Sequence, residues 1–545
     1  MKNLFSIVIA LFSAYLVSAQ DIYKKAYINP EAVQTVFNCG DMAAALVKEG
    51  YRQADDKDVY SLQYLSEENI VKEIAVNRGY SLFKLMTEKA NSYMFYVGSQ
   101  EPVIVKVNPD AKTSYNPVEL PLDVNYRFGN ILHVDLSAAS QITIIRNYSK
   151  LGKNDQGREI IEEVGKEFIT VDKQGALVNS WKEKADNDIS MNIVSTFNTT
   201  NGTVYHLEYM SSSKKFYNSK LLLCNANNDK LGEYELYDSA YSLFPTDVSY
   251  ENGNYVMAGF YLTGSPYTAK KTEGMFMSTL AATGAEKSQV KYDWDNLKQK
   301  LKDTKRGDFI FNGRMSIMVE KIIDNGAGYT ILAESFSKGG GMTGTELILG
   351  DNNRDELVIS VYDFVLFDVD YNGNLASINI LNKEECNIFM EGFSKKTRAV
   401  SLARTLKNNS VFPFKEAKDG TISFINYKAK EGALAEMNMS TGAVEMGNPI
   451  DFEIPKEEVV DIDGEEMVAN SKFLTKLDNL DKKVDKMDEK LDRFGDKLGY
   501  KIEKVDQVFS RWGLKEGGIL YLDNGKVLSF KLDPESFAIY YVYLN

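Results

Sequence analysis

One pattern recurs through this chain: a short run of β-forming residues, a polar cluster, a glycine, and a second β-forming run. It stands at TVDKQGALVNS (170–180), NANNDKLGEYEL (225–236), STLAATGAEKSQV (278–290), FDVDYNGNLASIN (367–379), MNMSTGAVEMG (437–447) and YLDNGKVLSFKL (521–532). Glycine supplies the positive φ that a hairpin turn needs, and Asn or Asp tolerates the neighbouring turn conformations. Each copy but the last also follows another strand-like run: ITIIRNYS at 142, TVYHLEYM at 203, NYVMAGFYL at 254, GYTILAESF at 328 and GTISFINYK at 420. A hairpin unit of this size cannot bury its own apolar faces, so a chain built from copies has to stack them.

The glycines of the pattern are Gly175, Gly232, Gly284, Gly373, Gly442 and Gly525, at intervals of 57, 52, 89, 69 and 83 residues. Two insertions stretch the longer intervals. One is the helical stretch DWDNLKQKLKD (293–303) followed by the loop at 337–355, and the other is a long charged helix near 473–509. The base period of roughly 50–57 is the size of a four-stranded propeller blade. YMFYVGS at 93, followed by EPVIVKVNPDAKTSY, reads as a degenerate earlier copy. The expectation is an all-β chain, a six- or seven-bladed β-propeller with helical insertions, with an array of β-sandwiches as the structural rival. Closure would also hide the edge strands. Repeats occupy 91–470, the amphipathic helix insertion 471–510, and strands that complete the propeller 511–545.

Residues 20–90 read differently, as a cap or partial blade with helical content. Asp41 can N-cap a helix MAAALVKE that Gly50 would end, and Ser66 can start a second around ENIVKEIAV before Gly79. The first 19 residues have the order of a secretory signal peptide: Lys2, an apolar run from Leu4 to Val17, then Val17-Ser18-Ala19 before Gln20. The run is short for a transmembrane anchor and holds Ser6 and Ser13. The expected product is exported, periplasmic or extracellular, without a transmembrane anchor. A formal net charge of −14 without basic blocks argues against nucleic acid as a partner. Three cysteines in so long an exported chain make no disulfide framework: Cys224 in LLLC reads as a buried thiol, and Cys39 and Cys386 are the pair left to consider.

With an export signal ending SAQ, repeats such as TVDKQGALVNS and FDVDYNGNLASIN, and strands rich in Tyr, Asn and Lys, the chain resembles uncharacterised secreted β-propeller proteins of Bacteroidota over roughly residues 90–450. The resemblance implies a periplasmic or surface location. It carries no catalytic residue, because that group shares no active-site motif, and the long helix departs from a plain propeller.

Candidate chemistry is sparse. Asp368, Asp370 and Asn372 alternate ahead of Gly373 like the first half of an EF-hand loop, which makes them the candidate Ca²⁺ ligands. The twelfth position, a bidentate Glu in an EF-hand, is Asn379 here, and a strand-like run follows the glycine, which favours a plain hairpin. No other cofactor is expected. His133 and His206 are the only histidines and lie in strand-like surroundings, so triads and multi-His zinc sites lack material. In GGGMTGTE, Gly339 and Gly344 have phosphate-loop spacing, but Thr345 stands where the lysine belongs. Paired carboxylates could support glycoside chemistry, although 77 acidic residues guarantee some pair.

Three function classes remain: a non-enzymatic propeller binding an envelope protein or glycan, a carbohydrate-active enzyme using paired carboxylates, and a structural or assembly protein oligomerising through the 473–509 helix. In that helix Leu477, Leu480, Val484, Met487, Leu491, Phe494 and Leu498 alternate by three and four, the seam of a coiled coil. Lys483 of one helix faces Asp488 of another only in a parallel homo-oligomer; the competing placement lays the same stripe along the chain's own propeller. Gly495, Gly499 and Lys501 weaken the seam.

Overall fold

The computed structural model describes residues 24–544 apart from 302–309, 340–356, 391–413 and 452–516 and from short breaks of one to six residues elsewhere. The described residues form eight antiparallel sheets in chain order, six of four strands and two of five. In sheets 1 to 7 the first four strands are ordered as in the chain, an up-and-down meander, and in the two five-stranded sheets the fifth strand pairs back onto the third. Their first strands are Val33–Cys39, Ser81–Glu88, Tyr126–Leu136, Ile189–Thr199, Tyr241–Glu251, Met315–Asp324, Phe414–Lys418 and Gly517–Tyr521, and the sheets are numbered 1 to 8 in that order. Sheet 8 is completed from the other end of the chain: Lys24–Tyr27 pairs with Ala538–Leu544, Lys25 opposite Tyr540. This is the sheet layout of a β-propeller.

Successive sheets pack face to face. Ala44, Leu46 and Leu62 of sheet 1 meet Met94, Tyr96 and Val105 of sheet 2. Corresponding apolar layers join sheets 2 and 3, 3 and 4, 4 and 5, 5 and 6, and 6 and 7. Val36, Ala43, Ala45 and Val47 of sheet 1 pack on Leu528 and Tyr541 of sheet 8. Residues alternate between two buried faces along each central strand, which is why these strands read as near-continuous apolar runs.

The run Met42–Val47 therefore corrects the expected helical cap. It belongs to the strand Met42–Arg52, and its alternate alanines face sheets 8 and 2. Alanine's helix propensity is a few tenths of a kcal/mol, far less than burial of both faces contributes. Gly50 sits at a register shift rather than a helix end, and ENIVKEIAV supplies the strand Val71–Asn77. YMFYVGS is the second strand of a complete sheet 2, not a degenerate remnant. Sheet 1 is thus one sheet that the turn glycines could not reveal. Of the helices expected, one forms among the described residues: α1 (Trp294–Lys300) follows sheet 5 and buries Trp294 and Leu297 between sheets 5 and 6. The 473–509 helix and its seam lie outside the described residues.

In sheets 3 to 7 the recurring motif is the hairpin between third and fourth strands, whereas the copy at 521–532 spans the first and second strands of sheet 8. In sheet 3, Asp172 Oδ1 accepts the backbone N–H groups of Gln174 and Ala176 at 2.8 and 2.9 Å, and Gly175 has φ +89°. Asp370 does the same for Asn372 and Asn374 in sheet 6. A Cβ on Gly175 would lie 2.1 Å from Pro117 O, and one on Gly284 2.5 Å from Glu233 O, so each turn abuts the last strand of the sheet before it. Glycine is required twice over, for φ and for close approach. Gly232 is an exception to the motif as read from sequence. The left-handed residue of that turn is Asn228, φ +63°, whose backbone carbonyl accepts Trp181 Nε1–H from sheet 3 at 2.7 Å; Gly232 lies within the following strand.

Candidate functional site

The first strands of sheets 1 and 2, 2 and 3, 4 and 5, 5 and 6, and 8 and 1 approach one another, as inner strands around an axis do. Seven of the eight carry a register shift against their second strands, at 33/35, 82/84, 128/131/133, 193/195, 245/247, 319/321 and 414/416. Each shift leaves a residue without a partner opposite, among them Phe83, Leu132, Val194, Thr246 and Glu320. Bulges of this kind turn a side chain out of the ladder. On one side they tie the inner strands together: Thr246 Oγ1 accepts Val319 N–H at 3.1 Å, and Asp247 Oδ2 accepts Ile322 N–H at 3.0 Å. On the other side Phe83 and Leu132 are 40% and 42% exposed, beside a Lys84–Asp135 pair at 3.9 Å.

His133 lies on the inner strand of sheet 3. Burial lowers its pKa, opposed by the nearby Asp135 carboxylate, while Lys84 lowers it further. His206 is buried, its Nε2 2.8 Å from Ser219 Oγ and its ring edge-on to Phe244. The two histidines sit on different sheets and are not brought together in one site.

Sheet 3 carries the second notable feature. Its second and third strands, Ile142–Lys153 and Glu159–Val171, run on beyond the fourth, whose pairing ends at Val164–Ala185. The hairpin tip is fixed by Asn154 Oδ1, which accepts Gln156 and Arg158 N–H groups at 3.0 and 2.9 Å. Beside it runs the connection from sheet 2, residues 118–125, joined by Leu151 N–H to Asn125 O at 2.8 Å. Leu122 and Val124 of that connection are 85% and 96% exposed, and Ile160 and Ile161 of the hairpin 40% and 51%.

What lies beneath is rigid. Arg146 is buried, donates to Pro121 O in the connection, and pairs with buried Glu167 at 2.7 Å. Lys182 reaches the second Glu167 oxygen at 3.1 Å, and the Arg146 guanidinium stacks 3.7 Å from the Phe128 ring centroid. Tyr148 donates to Glu163 at 2.6 Å; burial first, then that bond, raises its pKa. A buried ion network with every member engaged specifies one geometry, so exposed leucine and valine sit on a preformed base.

A third cluster joins the turns of sheets 5 and 6. Glu251 lies near Asp324, and burial first, then the Asp324 charge, hold its carboxyl above the usual range. Asp324 accepts from Tyr371 at 3.0 Å and from Asn252. Tyr371 is exposed and edge-on to Tyr329, centroids 5.2 Å apart.

The candidate Ca²⁺ residues are parcelled out among different partners. Asp368 accepts Thr330 and Ser377 hydroxyls at 2.7 and 2.6 Å across the sheet. The Asp370 carboxylate caps its turn, and the Asn374 hydrogen bonds hold it below the usual carboxylate range. Asn372 contributes its backbone N–H to that cap. The Asp-x-Asp-x-Asn spacing is met by hairpin geometry alone, and among the described residues no group of three or more His, Cys, Asp or Glu is set to hold a metal. Cys39 and Cys224 are buried thiols outside any disulfide; Cys39 Sγ lies 3.2 Å from Ser92 Oγ. Among the described residues no helix is long and apolar enough to cross a membrane.

No known family model matches the chain, and no curated protein is similar to it. Among solved structures it is similar to an uncharacterized protein from Listeria monocytogenes EGD-e, with TM-score 0.32 and 8% identity over 68% of this chain and 82% of that one. The β-propeller domain of the Trilobed protease from Pyrococcus furiosus aligns with TM-score 0.30 and 8% identity over 78% and 98% of the two chains. Polysaccharide lyase Uly1 aligns with TM-score 0.33 and 9% identity over 94% and 99%. Likenesses this distant carry no argument about function, and the propeller assignment rests on strand order and sheet packing.

Proposed function

We propose that this chain is an exported, non-enzymatic β-propeller whose eight sheets close into one ring and which binds a protein partner in the cell envelope. The observation that carries the binding role is the pair Leu122 and Val124, 85% and 96% exposed on a connection anchored by the buried Arg146–Glu167 network. Apolar side chains held rigidly in water without covering neighbours are the mark of an interaction site, and a preformed base removes part of the ordering cost of binding. Flanking ion pairs, Lys150–Glu162 and Arg127–Glu159, give the patch a polar rim. An apolar rather than ring-stacking surface favours protein over glycan here.

Burying a leucine or valine contributes about 1.5–3 kcal/mol each, so Leu122→Ser with Val124→Ser should weaken the complex roughly 100-fold. Envelope extracts passed over immobilised wild-type and variant protein test this. A discrete partner held by the wild type and lost by a variant of unchanged melting temperature supports the reading; identical captured sets overturn it.

A second reading, the carbohydrate-active enzyme, draws on Glu251 and Asp324 with Tyr371 beside them. A carboxyl held above its usual range next to a second carboxylate suits acid catalysis at a glycosidic bond. Hydrolysis of a polysaccharide in an activity screen, abolished by Glu251→Gln, would establish it. The assembly reading rests on the 473–509 helix, and light scattering of the chain with and without that segment decides it.

A further inference from the structure

Enclosed cations in this protein lie on carboxylates, with one exception among the described residues. Arg146 pairs with Glu167 at 2.7 Å and Lys383 with Glu334 at 3.3 Å. Lys166, 4% exposed on the third strand of sheet 3, donates instead to a neutral acceptor, Asn147 Oδ1 at 3.0 Å. Glu183 stands opposite it on the fourth strand, but Lys220 and Lys230 of sheet 4 hold the two Glu183 oxygens at 2.7 and 2.9 Å. Burial, with nothing to offset it, lowers the Lys166 amine to about 8. A charge taken out of water calls for an opposite charge beside it.

Asn147 and Lys166 are opposite one another in register and share the face of sheet 3 that carries Ile145 and Phe168 toward sheet 4. The Arg146–Glu167 network occupies the other face, with Ile144 and Ile169 toward sheet 2. The inner strand beside them, Tyr126–Leu136, is broken by two register shifts: Gly129 and Asn130 stand together opposite Asn147, and Leu132 is bulged as well. A Cβ on Gly129 would meet Asn147 Cβ at 3.2 Å, so glycine keeps the way to Asn147 clear. Gly129, Asn130 and Asn147 are all exposed. The inner strand of sheet 4, Ile189–Thr199, lies here against the third and fourth strands of sheet 3. An approach from the inner-strand side therefore meets the Asn147 amide first and the Lys166 amine directly behind it.

We propose that Asn147 and Lys166 bind the carboxylate of a small ligand that enters past Gly129. The carboxylate takes the place of Asn147 Oδ1 as acceptor for the Lys166 ammonium, and the Asn147 side chain, turned over, donates its amide N–H to the same group. One cation answers one negative charge, whereas a phosphate dianion would leave a charge enclosed without a partner. The other titratable groups facing the amine are Glu183 on its own sheet and Lys220 and Tyr209 on sheet 4. Glu183 and Lys220 are paired with each other, and burial pushes the Tyr209 hydroxyl up, so none of the three competes for the ligand. Only the ammonium form of Lys166 binds, so binding draws a proton onto the amine. The site is independent of the hairpin surface proposed above, which lies on the other face of the sheet.

Acetate is the probe, titrated calorimetrically at low chloride into the full mature chain beside acetamide, its neutral isostere. Acetate should bind saturably in the millimolar range and acetamide at least tenfold more weakly. With the amine titrating near 8, acetate affinity should fall about tenfold between pH 7 and pH 9, with protons taken up on binding at pH 8. Lys166→Met should abolish binding. Asn147→Asp keeps the lysine and sets a carboxylate against it from within the chain, so it should abolish binding too and raise the melting temperature. Leu122→Ser with Val124→Ser should leave acetate binding unchanged. No saturable binding up to about 100 mM, acetamide binding as well as acetate, an affinity that does not fall with pH, or either Lys166→Met or Asn147→Asp binding like the wild type overturns the proposal.

Discussion

Glu334 and Lys383 form an ion pair at 3.3 Å with side chains 0% and 2% exposed, between sheets 6 and 7. Glu320 adds a second carboxylate nearby. Burial first, and Glu320 against the attraction of Lys383, push the Glu334 carboxyl up to about 7. A folded-state pKa above the unfolded value stabilises the fold fully at pH below the unfolded value and progressively less as pH rises through the folded one. The group therefore favours the native state near pH 4 and loses that contribution between pH 5 and 7. Lys383→Met removes the attraction and raises the carboxyl further. Glu334 then escapes ionisation by keeping its proton, so the added loss is limited by the free energy of protonation, about 1.36 kcal/mol per pH unit above the wild-type value. The variant should be weakened, relative to wild type, by at most roughly 1 kcal/mol at pH 8 and roughly 2–3 kcal/mol at pH 9, with no ionic loss at pH 5. Methionine replaces the lysine stem, so any packing change is the same at every pH. Urea unfolding followed by tryptophan fluorescence at pH 5, 8 and 9 reads the difference. A wild-type-to-variant gap that does not grow with pH refutes the buried-pair argument.

Gly373→Ala should destabilise by about 2–3 kcal/mol, since φ +84° is combined with a Cβ 2.4 Å from Val290 Cγ2. Gly326→Ala, at φ +81° with open space, should cost only about 1 kcal/mol; equal losses in urea unfolding would show that sheet-to-sheet approach plays no part. Cys39 and Cys224 should react with a thiol reagent only on unfolding, as both are buried and burial raises the Cys224 thiol; fast reaction of the native protein contradicts their placement. Calcium added to chelated protein should leave the melting temperature unchanged, because the Asp368 and Asp370 carboxylates are already engaged; a rise of several degrees would reopen the site.

Most of the repeats could be read from the sequence because their third–fourth hairpins announce themselves locally: Asp172 and Asp370 stand three residues before left-handed Gly175 and Gly373, and Asn438 four before Gly442. Sheet 1 could not, because Ala43-Ala44-Ala45 favours a helix in isolation and becomes a strand only when sheets 8 and 2 cover both its faces. Gly232 misled for a related reason: Asn228 can also take positive φ, and its carbonyl is fixed by Trp181 from another sheet. The inner-strand bulges leave no pattern in the residues, since a register shift belongs to a pair of strands. Leu122 and Val124 carry no mark in the sequence that separates them from the many apolar residues of the strands. Only their exposure, and Arg146 beneath, sets them apart.

The central proposal is that the eight sheets, joined by packed apolar layers from sheet 8 through sheet 1 to sheet 7, close into one ring. Single-particle electron microscopy of the mature protein, averaged in views down the axis, tests it directly. The account predicts a closed ring of eight blades, the eighth built from both chain ends through Lys24–Tyr27 and Ala538–Leu544. An open crescent, or a ring of six or seven blades, would contradict it.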